Sequence, residues 1–117
     1  MSQVNYPAVV HAPHFVVEKL TARGRLQRLS ARVYSSREDA ETWASVLRGA
    51  GDVVFITEYG VAYYARCVVC GEYPDHERMR FVDWAELVQY LAQEPGWRST
   101  SEQLVFCPHH RPAGATE

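Results

Sequence analysis

Four candidate metal ligands fall into two pairs with the same spacing. Cys67 and Cys70 are separated by two residues, and Cys107 and His110 repeat this gap after residues 71–106. Structural zinc sites hold the metal with four Cys or His side chains at the corners of a tetrahedron. Each pair can supply half of such a set from one turn. We therefore predict one closed, structural Zn²⁺ site at these four residues.

The ligand pairs also allow other interpretations. His109 is the alternative to His110 as the fourth ligand. The chain has three cysteines, so a disulfide framework would leave one thiol over. Two of the cysteines could also simply be buried, with the third unrelated to them. A redox CxxC pair usually opens a helix, whose N-terminus lowers the thiol pKa, whereas Gly71 and Pro74 indicate a turn here. The pattern therefore favours metal ligation.

The remaining sequence predicts a small α+β protein, in which a β-β-α-β-β unit is joined to the zinc-binding element. Within the stretch 25–34, apolar and polar residues alternate over residues 28–33, which is typical of a half-buried strand. Short apolar runs between turns predict the other strands. The four strands are expected at residues 15–17, 25–34, 53–56 and 61–64. The expected segments are a flexible N-terminal arm at 1–12, the β-β-α-β-β unit at 13–66, the zinc-binding element at 67–110 and a disordered tail at 111–117.

Two helices are predicted, one in each half of the chain. Ser35 and Glu38 have the spacing of a capping box, in which each side chain accepts a hydrogen bond from the other residue's backbone N–H. Four apolar residues with helical spacing then predict a buried stripe: Ala40, Trp43, Ala44 and Leu47. The second helix is expected at residues 83–93, with Asp83 as its N-cap. A last strand at 103–106 then leads to the second ligand pair.

The second half of the chain resembles a known group of small metal proteins. The matching elements are Cys67, Cys70 and Gly71, then Gly96 and Trp97, then Cys107, Pro108 and His110. This CxxCG…GW…CPxH pattern resembles zinc-knuckle proteins of the zinc-ribbon and treble-clef type, and more narrowly small proteins of actinobacteria and their phages. The resemblance covers residues 67–110 only. It implies a metal site and a fold element and, by association, a phage-type regulator or inhibitor of a host protein.

Catalytic motifs are incomplete in this sequence. Catalytic zinc keeps a position open for water, and four good ligands leave none. Asp75-His76 could be the general-base pair of an HNH-like nuclease, but that motif also needs a downstream asparagine, and the only asparagine is Asn5. The His-x-Glu element of zinc deaminases is absent as well. We therefore expect a protein that is not an enzyme, with an HNH-like nuclease as the weakest alternative.

The charge distribution leaves two kinds of partner open. The net charge is −2, with seven basic and four acidic side chains in residues 1–50 and five basic and ten acidic in residues 51–117. A protein partner is favoured because Tyr and Trp are enriched at interface hot spots. The candidate aromatics are Tyr59, Tyr63, Tyr64, Tyr73, Tyr90 and Trp97, of which we select Tyr63, Tyr73 and Trp97; the alternative for each is packing in the core.

Nucleic acid is the second candidate partner. The basic segment at residues 19–37 could lie along phosphates, which require only positive charge within reach. Its candidate contacts are Arg25, Arg28, Arg32 and Arg37. A solvated sheet face is the competing interpretation of these arginines, and the chain as a whole is acidic.

Location is predicted from what the sequence lacks. No apolar run approaches the roughly 18–20 residues that span a bilayer, so no membrane partner is expected. Residues 1–12 lack the basic segment and apolar core of a signal peptide. The expected location is the cytoplasm, or the host cytoplasm if the protein is phage-encoded. The sequence does not indicate an oligomeric state.

Overall fold

The computed structural model describes residues 4–28 and 32–110, which divide into two compact units. One unit is His11–Val61, and the other joins residues 4–10 to residues 62–110. Two helices and several small sheets confirm the α+β class. In chain order the elements are β1 (Val9–Val10), β2 (His14–Leu20), β3 (Leu26–Arg28), α1 (Arg37–Gly49), β4 (Val54–Tyr59), β5 (Ala62–Tyr64), β6 (Arg80–Phe81), α2 (Trp84–Leu91), β7 (Arg98–Ser99) and β8 (Val105–Phe106).

The His11–Val61 unit is an antiparallel sheet with one helix packed on it. The strand order is β3-β2-β4, and residues 14–19 of β2 pair continuously with β4. Because alternate residues of a strand face the same side, Phe15 and Val17 both reach α1. There they meet Ala40 and Ala44, whose small side chains let the helix lie close to the sheet.

Helix α1 begins one residue later than its sequence pattern predicts. Its N-cap is Ser36, whose Oγ accepts a hydrogen bond from the Asp39 N–H at 3.1 Å. The predicted capping box of Ser35 and Glu38 is therefore wrong, because the third residue after the cap is Asp39. Trp43 is also misplaced in the predicted stripe: it is 40% exposed, whereas Ala40 and Ala44 are fully buried.

The strands differ from the predicted β-β-α-β-β unit in two places. Only Leu26–Arg28 of the second predicted strand forms β3; residues 29–31 lie outside the described part of the chain, and Tyr34 bridges to Phe15. The fourth strand predicted for this unit, at residues 61–64, forms β5, which joins a different sheet with the order β1-β5-β6. Spacing along the sequence predicts where β5 lies, but not that Val9 and Val10 supply its partner strand.

The second unit contains the candidate metal ligands. The structure places residues 4–10 in this unit, where the sequence suggested a flexible arm over 1–12; residues 1–3 and 111–117 are outside the described ranges. The Asn5 and Tyr6 N–H groups donate to the Val68 carbonyl, and Ala8 is buried. Asp83 is confirmed as the N-cap of α2, since its side chain accepts from the Ala85 N–H.

The core of this unit lies between α2 and the short strands. Its buried members are Ala8, Ala65, Val68, Phe81, Leu87, Leu91, Val105 and Phe106. Val68 belongs to the first ligand turn, and Val105 and Phe106 form β8, directly before the second. The packing of the core therefore determines where both ligand pairs lie. In the described part of the chain, no helix has the length and apolar character needed to cross a membrane.

Candidate metal centre

Four side chains from two distant turns meet at one point of the second unit. The ligand atoms of Cys67, Cys70, Cys107 and His110 all lie within 4.8 Å of one another. The Cys70 and Cys107 Sγ atoms are 3.8 Å apart, and the His110 Nδ1 atom lies 3.1 Å from the Cys107 Sγ and 3.7 Å from the Cys67 Sγ. Sulfur atoms about 2.3 Å from a tetrahedral metal are about 3.8 Å from each other. The cluster therefore has the dimensions of a tetrahedral metal site.

Backbone hydrogen bonds shape the first ligand turn. The Gly71 N–H donates to the Cys67 carbonyl at 2.8 Å, and the Cys67 N–H donates to the Glu72 carbonyl at 2.8 Å. Gly71 has φ +78°, a left-handed conformation that glycine adopts without strain. The Val68 N–H donates to the Val105 carbonyl, which ties this turn to the strand that precedes Cys107.

The second ligand turn is supported by the loop that ends α2. Its own closing bond runs from the His110 N–H to the Cys107 carbonyl at 3.1 Å. Gly96 also has a left-handed conformation, with φ +82°, and a Cβ there would lie 2.9 Å from the Pro108 side chain. The Gly-Trp element of the sequence therefore matters to the site through its glycine, which allows the loop to approach Pro108.

The three thiols differ in exposure, and the two buried ones have shifted pKa values. Cys67 and Cys107 are buried, whereas Cys70 is exposed. Burial acts to raise the pKa of the Cys67 thiol, but hydrogen bonds with backbone groups of the two ligand turns outweigh it, so that pKa is lowered. Burial raises the pKa of the Cys107 thiol to about 11, and the two neighbouring thiols add to the increase. A bound cation favours the thiolate form of its cysteine ligands, which offsets this effect.

The two adjacent histidines have different positions. His110 is half-buried and points its Nδ1 atom into the cluster, whereas His109 is exposed and is not part of it. Of the two histidines, His110 is therefore the one that lies close enough to the three thiols to complete a set of metal ligands.

The residues of the HNH-like alternative take part in loop structure. Asp75 accepts hydrogen bonds from the Glu77 and Arg78 N–H groups through Oδ1, and from the Tyr90 hydroxyl through Oδ2. His76 is exposed in the same loop. The carboxylate therefore organises the loop and anchors it to α2.

The three selected aromatics are all half-buried. Tyr63 packs edge-on against Trp84, with ring centroids 5.6 Å apart, and Trp97 packs against the core of the second unit. Tyr73 lies beside the Arg78 guanidinium, whose Cζ is 5.8 Å from the ring centroid. Tyr63 and Trp97 therefore contribute to the packing of this unit.

The basic candidates lie in several elements of the first unit. Arg25 closes the turn between β2 and β3, where its N–H bonds to Thr21 Oγ1. Arg28 ends β3 opposite Glu18, and Arg37 begins α1 with its guanidinium over the Phe15 ring. Arg32 is exposed and lies outside β3.

Comparisons with protein-family models, with curated proteins and with solved structures find no match to this chain. The resemblance of residues 67–110 to small zinc-knuckle proteins of actinobacteria and their phages stays a prediction. The geometry does bring three thiols and one imidazole close enough to hold a metal ion.

Proposed function

We propose that this chain is a non-catalytic binding protein in which a structural zinc ion holds a surface in place for another protein. The observation that carries the proposal is the meeting of four ligand atoms within 4.8 Å of one another, although residues 71–106 separate the two pairs. The resemblance noted above supports a regulator or inhibitor of a host protein as the biological role.

The donor set supports zinc over other common cations. Thiolates and imidazoles suit zinc, whereas magnesium and calcium prefer carboxylate, carbonyl and water oxygens. Four protein ligands complete a tetrahedron, so no position is left for a water or a substrate. This supports a structural metal and a protein without metal-dependent catalysis.

A bound metal would stabilise the fold of the second unit more than that of the first. Five of its strands contain only two or three residues each: β1, β5, β6, β7 and β8. Such short strands form few hydrogen bonds, and small domains often need a metal to supplement the core. Zinc binding contributes on the order of 10 kcal/mol in small zinc domains, and this binding energy becomes folding energy.

Metal content and partner capture together test this proposal. Purified protein is expected to contain one zinc per chain, and a strong chelator is expected to lower its melting temperature. Tagged wild-type protein should then enrich a protein that the Cys67→Ser/Cys70→Ser double variant does not. Absence of zinc, or a melt that the chelator leaves unchanged, would contradict the metal role. Recovery that nuclease treatment abolishes would instead support nucleic acid as the partner.

A further inference from the structure

Two arginines and two tyrosines form a cluster beside the first ligand turn, which we name the Arg–Tyr cluster: Tyr6, Tyr64, Arg66 and Arg80. The Arg80 Cζ lies 4.7 Å from the Tyr64 ring centroid, and the Arg66 Cζ lies 5.1 Å from the same centroid. Arg66 also lies 5.8 Å from the Tyr6 ring. These distances are within the range of cation–π interactions.

Strand pairing explains how the cluster forms. The antiparallel register of β5 and β6 places Tyr64 opposite Arg80. Arg66 lies in the bend that follows β5, where its N–H donates to the Tyr64 carbonyl at 2.8 Å. Val9 and Val10 pair along the other edge of β5, and the residues before them bring Tyr6 to Arg66.

The cluster is held in position before any partner binds. Arg66 donates to the Pro7 carbonyl from Nε at 3.3 Å and from Nη2 at 3.0 Å. The Tyr6 N–H donates to the Val68 carbonyl at 3.0 Å, and its ring would lie only 3.0 Å from a Cβ at Gly71. A guanidinium fixed in this way loses little further entropy when it binds an anion.

The two guanidinium groups of the cluster have no paired carboxylate within the part of the chain that the structure describes. Both guanidinium groups lie beside one ring, so their mutual repulsion favours an anion between or beside them. A carboxylate can accept two parallel hydrogen bonds from the edge of a guanidinium whose face is stacked.

The charge of the whole unit favours a protein anion over a nucleic acid. Its described residues contain seven carboxylate side chains and four arginines. A phosphate chain that extends beyond the cluster would meet this acidic surface, whereas a protein segment can present one or two carboxylates and no further charge. Tyr and Arg are also the residue types enriched at protein interface hot spots, and Tyr6 is 42% exposed.

We infer that the Arg–Tyr cluster binds an acidic segment of a protein partner. The partner's carboxylates contact Arg66 and Arg80, and an apolar or aromatic side chain next to them packs on Tyr6. This inference rests on the proposed function, because the first ligand turn supports Tyr6. The Arg–Tyr cluster specifies which surface binds the partner and that the partner is acidic there. The metal site alone specifies neither.

Selection from a displayed library of random peptides tests the inference with the zinc-loaded full chain. Wild-type protein is expected to enrich peptides with closely spaced Asp or Glu residues next to an apolar residue. Arg80→Gln should weaken binding of a selected peptide about tenfold or more, because a charge-assisted bidentate pair is lost. Arg98→Gln is the matched control, because Arg98 is an exposed arginine of the same unit and its substitution removes the same charge. This variant should bind the selected peptide as well as wild type does.

Separate readouts distinguish failure of this inference from failure of the proposed function. Zinc content and melting temperature of Arg80→Gln should equal those of wild type, so a loss of peptide binding is not a loss of fold. Selected peptides without an acidic excess, or equal effects of Arg80→Gln and Arg98→Gln, would overturn the inference while leaving the zinc site intact. So would binding of a polythymidine oligonucleotide that depends on Arg66 and Arg80 and exceeds that of the selected peptides.

Discussion

At the scale of single residues, the two adjacent histidines give the metal centre its sharpest test. His110 faces the three thiols, and His109 is exposed outside the cluster. His110→Ala is expected to weaken zinc binding more than about 100-fold, since the loss of even a supporting residue weakens a site 10- to 100-fold. His109→Ala should leave the affinity unchanged. Competition with a chromophoric chelator measures both, and the reverse order would assign the ligand to His109.

Gly96 carries a second residue-scale prediction, because it combines a left-handed backbone with a close neighbour. Gly96→Ala is expected to lower the free energy of unfolding by about 1–3 kcal/mol, since its φ is +82° and the new Cβ would lie 2.9 Å from Pro108. Gly60→Ala is the control, because nothing lies within 4 Å of a Cβ there. Its effect should stay within about 0.5 kcal/mol. Urea denaturation measures the stability of both variants. Equal denaturation midpoints for Gly96→Ala and Gly60→Ala would contradict the prediction.

The cluster of candidate metal ligands could be predicted from the sequence because its signal is local. Two residues separate the members of each pair, and that spacing is visible without any knowledge of the fold. The Arg–Tyr cluster has no comparable signal, since it depends on the pairing of Tyr64 with Arg80 across two strands. The N-cap of α1 shows a finer limit: Ser35 and Ser36 are adjacent, and only backbone geometry selects Ser36.

At the scale of elements, a hydrogen bond between Tyr90 and Asp75 links α2 to the loop before β6. Burial raises the pKa of the Tyr90 hydroxyl, and its bond to the Asp75 carboxylate raises that pKa further. The folded state therefore favours the protonated phenol. This stabilisation is fully present below the unfolded pKa of about 10, and it is lost as pH rises through the higher folded value.

Tyr90→Phe tests this link through its pH dependence. The variant should be about 1–3 kcal/mol less stable at neutral pH, because a hydrogen bond to a charged group is removed. The difference from wild type should shrink as pH rises above about 10. Urea unfolding at a series of pH values measures it. In an Asp75→Asn background the same comparison should depend less on pH, and an equal slope in both backgrounds would contradict the assignment.

The strands show why only part of the element order could be predicted. The apolar runs at residues 15–17, 53–56 and 61–64 do become strands, because their residue types favour extended backbone. The partners of these strands depend on contacts between distant segments. Val9 and Val10 give no strong signal as a two-residue strand, yet they form the edge that receives β5. The strand order β1-β5-β6 could therefore not be predicted from the sequence.

At the scale of the whole molecule, all four ligands belong to one of the two units. If the proposed zinc is bound, its removal is expected to raise amide hydrogen exchange first in residues 4–10 and 62–110, because the hydrogen bonds around the candidate ligands lie there. Exchange in His11–Val61 should rise less. Mass spectrometry of the full chain with and without chelator measures this, and zinc added back should restore protection. An equal loss of protection in both units would count against a metal that acts within one of them.

The two-part construction of the second unit also determines the order in which a nascent chain can mature. Residues 11–61 leave the ribosome before either ligand turn, so β2, β3, α1 and β4 can fold early. Residues 4–10 emerge before these elements but must wait for β5, and a metal ion held by the four candidate ligands could not be fully enclosed until His110 has been synthesised. Such an ion would therefore gain its full set of ligands only after residues 71–106 have been synthesised, and a ribosome stalled before Cys107 would hold a chain with only half of the candidate ligands.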